Sequence, residues 1–248
     1  MTSEPSILSK VSIIIPAHNE SATIEGVVTA ARAQEYPNFE VIVVDNASSD
    51  DTAAIAEHAG AHVIKESNKG ILFAKEAGRR AATGEIIAGL DADCIPPPNW
   101  LKKGVSYFTV PNIVAVTGGY MYEDISPFMS GFIKWGFSNV QTRLNAFMQW
   151  RKRGAYMTGG NCFIRASALE KIGGFDTAIS FLGEDTDTAT RLSKIGTVFF
   201  AKDLFVRSSG RRFLRTGYLK TYFSYLKSDT AVFRKNKALL DKARTSQT

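Results

Sequence analysis

Residues 86–93 read Ile86-Ile87-Ala88-Gly89-Leu90-Asp91-Ala92-Asp93. An apolar run closed by carboxylates at i and i+2 is the pattern of a buried strand whose carboxyl end opens into a cleft. The same pattern recurs outward from it. Residues 11–15 and 41–44 are apolar, β-branched runs, and 62–64 is a shorter one. Between them lie helical signals. Ile24, Val27, Val28 and Ala31 fall at i, i+3, i+4 and i+7. Asp50 or Asp51 starts a helix through Ala54, Ile55 and Ala59 that Gly60 stops, and residues 71–82 form a third helix, ended by Gly84. Strands alternating with helices predict an α/β fold: a mostly parallel central sheet with helices on both faces. In such sheets ligands bind beyond the carboxyl ends of the strands. Asn19-Glu20, Asp45-Asn46 and Asp91/Asp93 all follow strands and converge on that edge.

The second half is less regular. Pro96-Pro97-Pro98 interrupts the chain, and Asn99 starts a helix to about Phe108. Strands are expected at 113–116, 161–164 and 198–200, and helices from Ala166 and over 184–195. Residues 126–150 are crowded with Phe, Met and Trp, most of which the sequence reading assigns to the core; an acceptor groove or a membrane-facing surface is the alternative.

The chain has 248 residues, 44% apolar, with a net charge of +6. That is globular composition, and it excludes a disordered or fibrous protein. Two cysteines, Cys94 and Cys162, make neither a disulfide framework nor a zinc cluster, so a reducing, cytoplasmic compartment is expected. No basic segment followed by an apolar stretch opens the sequence, and no apolar run is long enough to span a bilayer. The charge is uneven. From Asp203 onward there are 11 Lys/Arg against three Asp, a net of +8, which leaves −2 on the first 202 residues.

Three clusters carry chemistry. Asp91 and Asp93 offer hard oxygen ligands suited to Mg²⁺ or Mn²⁺, an ion that neutralises a departing diphosphate; a solvated turn is the plain alternative. Asp185, after Glu184, is either a helix-capping acid or a general base for a hydroxyl. Asp45 is either the start of an Asx-turn or an acceptor for a base or ribose hydrogen bond. His18, His58 and His62 are not at metal-ligand spacing, and Asp187 reads as surface or structural.

Together these residues resemble the family 2 glycosyltransferases and their GT-A nucleotide-sugar-binding fold. The resemblance rests on 11–20 (VSIIIPAHNE), 41–52 (VIVVDNASSDDT), 88–93 (AGLDAD), Gly159-Gly160-Asn161, Gly173-Gly174-Phe175-Asp176 and Gly183-Glu184-Asp185, in that order. It implies a GT-A domain over 1–202, with a nucleotide-binding half at about 10–95 and an acceptor half at about 96–202, followed by a basic, aromatic-rich helical tail at 203–248. It implies that Pro16, Ala17 and Glu20 line the nucleoside pocket and that Asp45 holds the base. Asp91, Ala92 and Asp93 would meet the donor, with Mn²⁺ or Mg²⁺ on Asp93 and Asp91. Gly159, Gly160 and Glu184 would lie beside the sugar, Lys69 or Lys75 would reach phosphate, and Asp185 would be the base of a single inverting displacement. The implied donor is a nucleoside-diphospho-sugar, a UDP-sugar by default with a GDP-sugar open, and the acceptor a glycan or lipid-linked glycan. Lys75-Glu76 departs from the family's usual Arg-Asn, and no His stands in 206–212 where many relatives offer one to the metal. A processive-type Gln-x-x-Arg-Trp is also absent, which argues for one sugar per encounter.

The tail interleaves aromatics with Lys/Arg: it either packs, solvated, on the core or binds an anionic membrane face as basic amphipathic helices do, and binding of nucleic acid is disfavoured by the lack of any recognised motif. A sugar nucleotidyltransferase would want a glycine-rich basic loop after the first strand, where Pro16-Ala17-His18-Asn19-Glu20 stands. A non-catalytic nucleotide-sugar-binding module is the remaining alternative.

Overall fold

The computed structural model describes residues 9–179, 183–217 and 220. The aromatic residues of the tail from Tyr218 to Phe233 therefore lie outside the described residues. One eight-stranded sheet organises the chain, in the order β3-β2-β1-β4-β7-β6-β8-β5. The strands are β1 (Val11–Ala17), β2 (Phe39–Asp45), β3 (His62–Lys65), β4 (Ile86–Leu90), β5 (Cys94–Ile95), β6 (Ile113–Tyr122), β7 (Asn161–Arg165) and β8 (Thr197–Ser208). β3, β2, β1 and β4 are mutually parallel; β7 runs against β4 and β6; β8 is parallel to β6 and β5 antiparallel to β8. Only β7 and β5 point the other way, so the sheet is mixed but mostly parallel.

Alternation along β1 divides the core. Ile13 and Ile15 face α1 (Ile24–Arg32) and α4 (Trp100–Ser106), and with Val27, Val28 and Trp100 they form one cluster. Ile14 faces the other way. It packs with Ala74 of α3 (Ile71–Ala81), Leu169 of α7 (Ala166–Lys171) and Leu192 of α8 (Glu184–Leu192). Each fully buried Ile or Leu contributes about 1.5–3 kcal/mol, so the two clusters hold helices to both faces. α2 (Thr52–His58) starts as expected; it is Asp50, not Asp51, whose carboxylate accepts the Thr52 amide, at 3.1 Å. Chain order reverses between β1 and β4, the switch point at which open α/β sheets hold ligands.

Three expectations change. β6 continues to Tyr122, well past Val116, because Thr117-Gly118-Gly119 pairs onward with β8 across a bulge. A Cβ on Gly118 would meet the Leu204 carbonyl at 1.7 Å, so glycine is what lets the two strands close there. β8 runs to Ser208 and so crosses residue 202, where the sequence reading ends the domain. The aromatic segment is not core: α5 (Pro127–Gly136) buries no residue, and Phe128, Trp135 and Trp150 are exposed.

Asn161 ties the acceptor-side strands together. It is fully buried; its Oδ1 accepts from Trp100 Nε1 at 2.8 Å, and its Nδ2 donates to the carbonyls of Gly119 and Leu204 at 2.8 and 3.0 Å. Asn161→Ala strands one donor and two acceptors in the interior. Each buried orphan costs about 1–3 kcal/mol, so a loss of about 3 kcal/mol in unfolding free energy is expected from chemical denaturation. Among the described residues, no helix is long and apolar enough to cross a membrane.

Candidate active site

The carboxyl ends of β1 and β4 and the N-terminus of α8 meet at one place. Asp91 leaves β4 and Asp93 follows two residues later, with Cys94 N bonded back to the Asp91 carbonyl at 3.0 Å. The turn brings oxygens of Asp91 and Asp93 and the Cys94 thiol within 4.8 Å of one another. Burial pushes Asp91 up to about 6; Asp185 and Asp93 add to this and Lys75 opposes it. Asp93 is raised too, by burial first and then by Glu20, against the pull of Arg211. Burial holds the Cys94 thiol well above its ordinary range, so it stays protonated. Two half-buried carboxylates that resist ionising beside each other are a donor set that fits a hard divalent cation.

Gly159-Gly160 forms the floor between the two acidic groups. A Cβ on Gly160 would lie 2.0 Å from Asp91 Oδ2, and one on Gly159 2.2 Å from Asp185 Oδ1. The sequence reading expects these glycines to make room for sugar or acceptor; the space they leave is filled by the carboxylates themselves. Tyr120 closes the set: its hydroxyl donates to Asp91 Oδ2 at 3.3 Å and accepts from Gly160 N at 3.1 Å. Gly160→Ala is expected to displace Asp91 and weaken metal-dependent donor binding about 10-fold or more, read by titration calorimetry.

Asp185 sits in the first turn of α8. Its Oδ2 accepts from Gly159 N at 2.9 Å and its Oδ1 from the Lys75 ammonium at 2.7 Å. Lys75 is buried on α3. Burial pulls its pKa down, but Asp185, Asp91 and Glu184 outweigh that and hold it above its ordinary value. A small cavity under the pair is walled by Pro16, Met157 and Phe175. Glu184, the first residue of α8, is buried beside it. Asp187 is buried rather than on the surface, and pairs with Arg191 at 2.8 Å.

The nucleoside-side residues form a knitted rim. Pro16 and Ala17 end β1. Asn19 adopts φ 54° and joins the two loops: its amide donates to Ser48 Oγ and its Oδ1 accepts from Ser49 N. Glu20 N donates to Thr52 Oγ1 at 2.9 Å. Asp45, buried at the end of β2, accepts from Ser48 N at 3.3 Å, an Asx-type turn. Asn46 beside it binds the carbonyls of Glu66 and Asn68 and the amide of Gly70, which fixes the loop carrying Lys69. Lys69 itself is exposed on that loop, whereas it is Lys75 that bonds to Asp185. His18 spends its Nδ1 on the Asn46 carbonyl at 2.8 Å.

Three participants escaped the sequence reading. Lys75 is named there only as a phosphate contact, and Tyr120 lies beyond the expected end of its strand. The third is Arg211, first residue of α9 (Arg211–Thr216), whose Nη2 lies 2.6 Å from Glu20 Oε1 and 3.2 Å from Asp93 Oδ2. Its neighbour-rich tail signalled charge but not where that charge would land. Glu76, the other departure in Lys75-Glu76, is structural: it pairs with Arg79 and Arg80 and accepts from Phe175 N.

Comparison with known proteins follows the same lines. The model of the family described as "Glycosyl transferase family 2" matches residues 12–173. Glycosyltransferase AglE of Haloferax volcanii is 30% identical over 208 residues, which cover 80% of this chain and 66% of that protein. An undecaprenyl-phosphate 4-deoxy-4-formamido-L-arabinose transferase of Sodalis glossinidius is 30% identical over 172 residues, 65% of this chain and 50% of that protein. The mannosyltransferase PcManGT from Pyrobaculum calidifontis, solved in complex with GDP-Man and Mn²⁺, superposes with a TM-score of 0.66 at 24% identity. That match covers 83% of this chain and 58% of the other and is a likeness of fold. The chain thus spans about half to two thirds of the length of these proteins. With a family match over most of its length and a mostly parallel sheet flanked by helices on both faces, the chain belongs to glycosyl transferase family 2, with a GT-A-like fold.

Proposed function

We propose that the protein transfers one sugar, with inversion, from a nucleoside-diphospho-sugar to an acceptor hydroxyl. The observation that carries this reading is the convergence of Asp91 and Asp185 on the two faces of Gly159-Gly160, with Asp93 and Pro16 beside them. The nucleoside lies along Pro16, Ala17, Glu20 and Asp45, and Lys69 borders it. Ala92, Gly159, Gly160 and Glu184 line the path of the sugar. Asp91 and Asp93 would hold Mn²⁺ or Mg²⁺, which when bound supplies positive charge against the diphosphate leaving group. Asp185 takes the proton of the acceptor hydroxyl as its oxygen attacks the anomeric carbon from the side opposite the diphosphate. Gly159 N and Lys75 fix the two Asp185 oxygens and so aim the carboxylate. One base and one displacement give inversion.

The donor is a UDP-sugar or a GDP-sugar, and the acceptor a glycan or a lipid-linked glycan on the cytoplasmic face of a membrane, which the tail helps to reach. A transferase of undecaprenyl phosphate among the relatives supports a lipid-linked acceptor. The domain, whose sheet runs through β8 to Ser208, carries the chemistry and the basic segment beyond it the surface contact, with Arg211 the point at which the latter meets the donor site. Titration calorimetry with UDP-, GDP- and dTDP-sugars, in Mn²⁺, Mg²⁺ and EDTA, tests the reading. Metal-dependent binding of one donor, weakened by Asp93→Ala, is expected. Folded protein that binds none of them overturns it.

A further inference from the structure

The exposed aromatic segment is built as one continuous face. Its large exposed apolar residues begin at Phe128, Phe132 and Trp135, in steps of four and three. They resume at Val140 after a step of five and continue through Leu144, Phe147 and Trp150. The step of five falls in a π-helical turn, Phe137–Gln141, that joins α5 to α6 (Thr142–Trp150). A π turn takes an extra residue, so the stripe stays on one side through both helices instead of rotating into the core.

The opposite side of α6 is polar where it meets the sheet. Asn145 Nδ2 and Gln149 Nε2 donate to the Val198 carbonyl at 2.9 and 2.7 Å, and Gln149 Oε1 accepts from Val198 N at 2.9 Å. On α6 the usual amphipathic arrangement is largely reversed: Met148 and two amides face inward and the aromatic rings outward. The charge is one-sided as well. Residues 125–157 carry Lys134, Arg143, Arg151, Lys152 and Arg153, all exposed, and no Asp or Glu. The face also borders the candidate site, since Phe137 packs edge-on against Tyr120, the residue bonded to Asp91.

We propose that this face docks on the surface of an anionic phospholipid bilayer. Exposed rings with cations around them and no carboxylate match the interface between acyl chains and phosphate headgroups. Charge argues against the other occupants. A second copy would set five cations against five, and residues 218–248 add seven Lys/Arg to two Asp, the same sign as the face. The inference goes beyond the donor-site reading and does not depend on it: docking is measured without nucleotide or metal.

The tryptophans make the test specific to this face. The chain has three: Trp100 is fully buried, whereas Trp135 and Trp150 lie on the stripe, and the tail has none. Vesicles of phosphatidylcholine with about 30% phosphatidylglycerol, part of the lipid brominated, are expected to quench the emission of the full chain. Phosphatidylcholine alone, or high salt, is expected to abolish the effect. The Trp135→Phe/Trp150→Phe variant should still float with the vesicles but lose the quenching. Phe128→Ser/Phe147→Ser and Arg143→Glu/Arg153→Glu should each partition about 10-fold more weakly, with an unchanged circular dichroism spectrum and urea midpoint reporting an intact core. No flotation, flotation without quenching, or undiminished partitioning of both variants overturns the proposal. So does a dimer that shields Trp135 and Trp150 from aqueous iodide in the absence of lipid.

Discussion

Asp185→Asn is expected to lower turnover about 100- to 10,000-fold, the range for loss of a general base, and to destabilise the fold at the same time. The second effect comes from Lys75. Its ammonium is buried on α3, 2.7 Å from Asp185 Oδ1. The amide of Asn preserves shape and an acceptor but removes the charge. Breaking one side of a buried pair costs about 3–5 kcal/mol because the remaining ion is left uncompensated. Asp91 and Glu184 also face Lys75, so the low end, about 3 kcal/mol, is expected. Lys75→Met added to Asp185→Asn removes the stranded charge. The double variant should recover much of the stability in urea denaturation and none of the turnover. Turnover of Asp185→Asn within a few-fold of the parent would remove Asp185 as the base. A double variant no more stable than the single would show that Asp91 and Glu184 suffice for Lys75. Donor affinity of the double variant, measured calorimetrically, should stay close to that of the parent, since Lys75 spends its ammonium on Asp185 rather than on the phosphate the sequence reading assigned to it.

The second large effect is an opposition between stability and function at Asp91. Its carboxyl titrates at about 6, above the ordinary carboxylate value, chiefly because it is buried. As pH rises between the unfolded and folded values, the unfolded chain has already lost the proton that the folded state retains. The metal-free fold therefore loses stability from about pH 4 to about pH 6 and stays at the lower level above it. Asp91→Asn cannot ionise and escapes that loss. A rise from 3.8 to about 6 is worth about 3 kcal/mol in full, but the carboxyl is only half-buried and solvent screening cuts this to ~1 kcal/mol. In EDTA at pH 8 the variant's Tm should therefore exceed the parent's by about 2–4 °C. Mn²⁺ should reverse the order. At 100 times its Kd a ligand adds about 2.7 kcal/mol, or roughly 5–10 °C, to the parent and not to the variant. Scanning calorimetry at pH 5 and pH 8, with EDTA and with Mn²⁺, reads both parts. Equal responses of the two proteins to Mn²⁺ would take Asp91 out of the metal site.

Much of this protein is written locally in its sequence. The runs at 11–15, 41–44 and 86–90 are strands because β-branched and apolar residues fill both faces of a covered sheet, and the stripe at Ile24, Val27, Val28 and Ala31 is a helix by its period. The carboxylates of the site were legible for the same reason: each stands at an element's end, and the topology of alternating elements sends those ends to one edge. What the period does not carry is which distant group meets which. Lys75 and Asp185 are 110 positions apart. Lys75 sits on a buried helix face, where periodicity argues for an apolar residue, and the carboxylate of Asp185 at the start of α8 explains it. β6 outran its expected end because Thr117-Gly118-Gly119 looks like a loop until β8 lies against it. Arg211 belonged to a tail with net positive charge until β8 carried it back to Glu20 and Asp93. The aromatic segment makes the same point in reverse. Its composition predicted a largely buried segment, but composition alone cannot choose which side is buried. That choice was made by Asn145 and Gln149, whose amides bond to the backbone of Val198 on the sheet side. Local pattern determines the elements, because propensity and periodicity act over a few residues. Pairing of charges and the sense of a helix face are settled by tertiary packing, because they depend on groups brought together from opposite ends of the chain.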